Sequence, residues 1–243
     1  MNRETISFPP LSPRLLERLK GAFIVVDGMN GSGKTTVSTL LVDVIRDARR
    51  RADPSCDNVT YPDWVAHFRE PGGTAYGEKL RELLIAPGVG DVCPETQALM
   101  FMAARAQLVR EKTHPLRRAG FTVVCDRWAS TTFAYQGGGG GMDYIVIDDI
   151  YDAAVPDDLR PDLVLILDVP VESAVKRLQA ADPTNNRWRE MSESFYRNVR
   201  TGYAKWQDMY PAVTRVVDAN ARLQTVLDRV VEAAEEFFQP KEL

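Results

Sequence analysis

The sequence predicts an α/β protein with a five-stranded parallel sheet covered by helices on both faces. Two observations carry that prediction. Five short apolar, β-rich runs are spaced along the chain: Ala22 to Asp27, a run ending at Phe68, Phe121 to Asp126, Asp162 to Asp168 and Val213 to Asp218. Each is followed by a stretch with helical periodicity. Strands lacking the apolar–polar alternation of a half-wet sheet are buried on both faces, and strand–helix repetition is how parallel sheets are wound.

Residues 1–20 stand before this pattern as an N-terminal extension. Leu11, Leu15, Leu16 and Leu19 fall at helical spacing, so residues 13–20 read equally as a short amphipathic helix or as a frayed tail. The first strand opens directly onto glycines. Thr35 to Arg50 then places Leu40, Leu41, Val44, Ile45 and Ala48 on one helical face. Gly77 to Leu84 predicts a short helix, and Pro94 to Ala119 a long one, with Pro94 suited to its first turn and Gly120 to the position after its end. Further helices are expected at Asp143–Ala154, Val171–Ala181, Glu193–Met209 and Leu223–Phe238, with a polar lid-like segment at 182–192. The glycine run at 137–141 reads as a flexible loop.

Composition narrows the class. With 243 residues, 44% of them hydrophobic, the chain can bury a sizeable core. A net charge of −4, with no run of one sign, gives no sign of a duplex-DNA binder. Cys56, Cys93 and Cys125 lack metal-ligand spacing and fit a reducing cytoplasm better than a disulfide framework. No apolar run approaches the ~20 residues of a membrane span, so no membrane partner is expected.

Ligands of parallel sheets sit beyond the carboxyl ends of the strands. There, Gly28-Met29-Asn30-Gly31-Ser32-Gly33-Lys34-Thr35 satisfies the phosphate-cradle pattern G-x-x-x-x-G-K-[ST], with Thr36 next in the helix. Its glycines let backbone N–H groups turn around phosphates. Lys34 reaches the β- and γ-oxygens, Thr35 offers a hydroxyl to Mg²⁺, and the helix aims its positive end at the anion. Strand before and amphipathic helix after supply the context this chemistry needs. A nucleoside triphosphate with Mg²⁺ is therefore the expected ligand, and the cradle alone does not separate kinases from GTPases or motor ATPases. The GTPase base-recognition run [NT]-K-x-D is absent.

Three further segments point to a nucleotide acceptor: Phe68 to Thr74 (FREPGGT) with Gly77 to Arg81, Phe101 to Gln107 (FMAARAQ), and Asp126 to Gly137 (DRWASTTFAYQG). Singly, Phe101 would read as core and Arg105 or Arg127 as solvated charges. Together behind a phosphate cradle they read as a site. With these motifs in this order, the chain resembles the thymidylate kinase family from about Phe23 to its last helix.

The resemblance implies the P-loop nucleoside-monophosphate-kinase fold, residues 21–243 as the kinase domain, and ATP-dependent phosphorylation of dTMP to dTDP. It also implies a homodimer. By it, Phe101 stacks on the thymine ring and Arg105 bonds its edge. Arg69, Arg81 and Arg127 hold the acceptor phosphate, Tyr135 crowds the ribose 2′ position, and Thr131 and Thr132 lie beside the base. Asn30, Glu70 and Gln136 complete the acceptor set. Asp126 holds Mg²⁺ or its water shell, directly or through Thr35. Because the P-loop has no arginine, the lid is expected to supply one, as in the bacterial type: Arg187, with Arg189 beside it. Two departures stand out. Asn30 occupies a P-loop position where the family carries a carboxylate, and the lid reads Asn186-Arg187-Trp188-Arg189 rather than D-R-x-E. The same pattern is compatible with another deoxypyrimidine acceptor, dUMP or a 5-substituted dUMP, or with a nucleotide-binding regulator lacking turnover.

Overall fold

The computed structural model describes residues 6–53, 64–85, 92–180 and 191–239. Five parallel strands form one sheet in the order β2-β3-β1-β4-β5: β1 Phe23–Asp27, β2 Val65–Arg69, β3 Thr122–Asp126, β4 Leu163–Asp168 and β5 Thr214–Asp218. All five residues of β1 and of β3 are buried, which is what their uninterrupted apolar composition predicts. The register pairs Val26 with Asp126 and Arg69 with Asp126, so the chemistry-bearing ends of β1, β2 and β3 lie side by side.

The helices observed are α1 Pro13–Arg18, α2 Lys34–Ala52, α3 Ala75–Ile85, α4 Pro94–Leu108, α5 His114–Arg118, α6 Ala129–Thr132, α7 Tyr144–Ala154, α8 Val171–Ala180, α9 Glu193–Met209 and α10 Leu223–Phe238. Among the described residues no helix is long and apolar enough to cross a membrane. The single long helix expected over 94–119 is interrupted by a π-helical turn, Val109–Thr113. Pro115 has no N–H to bond the carbonyl four residues earlier and its ring crowds that turn, so the helix widens there instead of continuing.

The helical reading of the N-terminal extension holds. Ser12 caps α1, its side chain accepting from Leu15 N, while Leu15 and Leu19 are fully buried. The segment is clasped to α10: Ser12 N and Oγ donate to the two Glu235 carboxylate oxygens at 2.8 Å, and Ser7 exchanges two 2.8 Å bonds with the Gln224 amide.

The glycine run departs from the flexible loop its composition suggests. Residues 133–139 form a second π-helical segment packed against α9. A Cβ on Gly138 would meet the Asn198 carbonyl. One on Gly139 would sit 2.5 Å from Phe195 Cε2, and one on Gly202 2.6 Å from Ala134 Cα. The glycines let two helical backbones touch. The run is a packing face.

Candidate active site

The cradle is local. Gly28, Gly31 and Gly33 all have positive φ, and a side chain on Gly28 would sit 2.6 Å from the Leu167 carbonyl oxygen. Gly33 begins α2 without a side-chain cap, so the first N–H groups of that helix are left for a ligand. Lys34 is buried, and its Nζ has only the Met29 carbonyl, 3.4 Å away. Burial, reinforced by Arg127, pushes its ammonium down to about 7, a state that an adjacent polyphosphate would reverse. Thr36 is exposed in the first turn of α2. Beside Lys34, Thr35 Oγ1 donates to Asp126 Oδ2 at 2.5 Å, while Asp126 Oδ1 and Ser32 Oγ are buried with no partner among the described residues. A hard-oxygen pair with a carboxylate oxygen to spare suits Mg²⁺, which takes one or two protein oxygens and completes its shell with phosphate and water.

Asp27, fully buried at the end of β1, ties the cradle to the segment after β3. It accepts from Gly28 N (2.7 Å), Trp128 N (3.2 Å), Ser130 Oγ (2.5 Å), Thr131 Oγ1 (2.7 Å) and, from α9, Tyr203 OH (3.0 Å). This tie fixes Arg127, whose backbone is held at φ 81 by a bond from its N–H to the Val26 carbonyl. A bulky residue in that region costs on the order of 1–3 kcal/mol and marks an over-determined position. The Arg127 guanidinium donates to Asn30 Oδ1, and Asn30 N donates to Tyr135 OH at 2.9 Å.

A pocket opens on the other side of Arg127. Asn30, Glu70, Pro71, Arg81, Leu84, Ile85, Phe101, Arg127, Thr131, Tyr135 and Gln136 line it. Its lining thus offers two guanidinium groups and an aromatic ring with aliphatic side chains, a match for a phosphate joined to a planar base. Asn30 belongs to both the cradle and the pocket.

Most of the expected acceptor residues converge here, with differences in arrangement. Arg69 is half exposed on the rim and pairs with Glu78 at 2.9 Å. Arg105 is buried beneath the pocket, its Nε 2.8 Å and its terminal nitrogen 2.7 Å from Glu70 Oε2, stacked 5.2 Å from the Trp128 ring. Burial raises the Glu70 carboxyl above its ordinary range, against the pull of Arg105. Thr132 is buried, with its hydroxyl unpartnered among the described residues. Arg187 and Arg189 lie outside the described residues. Sequence reasoning missed Asp27 and Tyr203; the position of Asp27 at the strand end, directly before the first cradle glycine, was the available signal.

The fold and this two-sided site define a P-loop phosphotransferase of the nucleoside-monophosphate-kinase class. The family model described as thymidylate kinase matches residues 26–230. Curated relatives named thymidylate kinase include one from Pelotomaculum thermopropionicum, 37% identical over 90% of this chain and 94% of its own. Another, from Thermomicrobium roseum, is 40% identical over 86% and 91% respectively. A crystal structure of thymidylate kinase from Ehrlichia chaffeensis superposes with a TM-score of 0.66 at 26% identity, covering 88% of this chain and 98% of that one. The chain belongs to the thymidylate kinase family.

Proposed function

We propose that this protein transfers the γ-phosphoryl group of ATP to dTMP, giving ADP and dTDP. The observation that carries the reading is Asn30. This one residue lies in the phosphate cradle and also lines the pocket, bonded to Arg127, so a donor and an acceptor phosphate would meet across it. In this reading Lys34 and the start of α2 hold the donor phosphates, with residues 28–36 around them. Arg81 and Arg127 hold the acceptor phosphate, Arg69 joining from the rim, and Phe101 stacks on the base. Tyr135, locked under Asn30, walls the sugar. Arg105 and Glu70 form a rigid charged floor near the base, with Thr131, Thr132 and Gln136 beside them.

Thr35 and Asp126 would hold Mg²⁺, which supplies charge neutralisation at the phosphates when bound. Phosphoryl transfer asks the protein for positioning and for positive charge around the moving group. The cradle itself lacks an arginine, so the lid residues Arg187 and Arg189 are proposed as its source. Residues 21–243 would form the kinase domain and residues 1–20 an added N-terminal clasp. A homodimer is proposed with it; the exposed Leu83, Leu99, Ile145 and Val146, on α4 and on α3 and α7 packed against it, support a partner surface there.

The test is ADP release with ATP and, in parallel, dTMP, dUMP, 5-hydroxymethyl-dUMP and dCMP. The highest kcat/KM is expected for dTMP. A higher value for any other acceptor, or no acceptor-dependent ADP, would overturn the proposal.

A further inference from the structure

Behind the base end of the pocket runs a chain of side-chain amides. The Val92 carbonyl can only accept, and Gln97 Nε2 donates to it at 2.5 Å. That turns Gln97 Oε1 the other way, where it accepts from Gln136 Nε2 at 3.0 Å. Both glutamines are buried. One direction therefore propagates along the chain, and the Gln136 amide ends with its NH₂ engaged and its Oε1 buried without a partner among the described residues. Gln136 also lines the pocket beside Phe101 and Thr131.

From this chain we infer that Gln97 is a positioning residue that sets which pyrimidines the pocket accepts. By holding the Gln136 NH₂, it leaves a lone acceptor for the ligand. A keto pyrimidine such as thymine or uracil has a ring N3–H to donate. Cytosine has a bare N3, whose lone pair would face the Gln136 oxygen. An amide free to rotate would serve either base; an amide held at its NH₂ serves one. A site whose buried polar atom fits one partner rejects the mismatched partner through the cost of the unpaired group. The inference rests on the pocket taking a pyrimidine monophosphate, and goes beyond that reading by naming the residue that orients the selecting amide.

The test compares wild type with Gln97→Met, which keeps the volume and removes both bonds, and with Gln97→Glu, which keeps an acceptor for Gln136 Nε2. Each is assayed for turnover of dTMP and dCMP, for binding of both by titration calorimetry, and for thermal melting. In Q97M the dTMP:dCMP ratio of kcat/KM should fall about tenfold, the size expected when one buried polar contact loses its fixed direction. The change should lie mainly in the two acceptor KM values, with kcat and the ATP KM within about twofold. Q97E should keep most of the wild-type ratio. A purely structural role would lower melting temperature in both variants and leave the ratio alone. An unchanged ratio in Q97M, or equal loss in Q97M and Q97E, would overturn the inference while leaving dTMP phosphorylation standing. Failure of the wild type to bind either pyrimidine would overturn both.

Discussion

The phosphate cradle and the proposed acceptor pocket lie on either side of Arg127 and are built on opposite principles. The cradle is one continuous segment, residues 28–35, and its shape comes from backbone: three glycines at positive φ, a helix start without a cap, and one buried lysine. The pocket is drawn from the loop after β2, α3, α4, the segment after β3 and the π-helical segment at 133–139, and its shape comes from side chains that hold one another: Glu70 to Arg105, Gln97 to Gln136, Asn30 to Arg127. Binding phosphate needs many N–H groups at close range, which a local loop provides. Selecting a base needs a few groups in fixed directions, which only neighbours from distant parts of the chain can fix.

Substitutions that strike one side should separate the two. The largest effect is expected from Lys34→Ala. Losing the buried ammonium from the donor side should lower kcat about 10³-fold, as when a preorganised donor is removed from a transition state. The fold and dTMP binding by calorimetry should be retained, and near-normal turnover would contradict the cradle's role. Next comes Arg105→Met, which leaves the Glu70 carboxylate buried without its partner. Removing half of a buried pair destabilises by roughly 3 kcal/mol, read as a drop in the urea midpoint, with dTMP binding weakened and ATP binding kept.

Gly138→Ala sharpens the contrast. It inserts a Cβ against the Asn198 backbone carbonyl, behind the helix that carries Tyr135 and Gln136, and should cost about 1–3 kcal/mol in unfolding free energy with a rise in acceptor KM. A flexible loop would tolerate it. Ser12→Ala removes the cap of α1 and the hydroxyl bond to Glu235, keeping the backbone one, far from both sites. It should cost about 1 kcal/mol of stability by denaturant titration and leave both KM values unchanged.

The same contrast explains what the sequence disclosed. The strands and the cradle are written in short-range patterns: apolar runs, glycines at fixed offsets, a lysine followed by a threonine. These were legible residue by residue, as were the ends of the helix at 94–119, though not the π-turn that Pro115 forces inside it. The glycines at 137–141 misled because glycine signals either freedom or close approach, and only the presence of α9 decides for the latter. The roles of Gln97 and, beyond its place before the first cradle glycine, of Asp27 were hidden for a related reason. Nothing in their local sequence says that donors from residues 128–131 and 203 will converge on one, or that the other will hold an amide 39 positions away. Arg69 and Arg105 were expected at the acceptor from the motifs, but their engagement with Glu78 and Glu70 was not legible.

If the two sides meet as proposed, a phosphoryl group passes from one to the other. Incubating the protein with dTMP and ATP labelled in the γ-phosphate, then separating the products, tests it directly. The label is predicted in dTDP, at a rate that depends on dTMP concentration. Label found only in inorganic phosphate, or left in ATP, would contradict it.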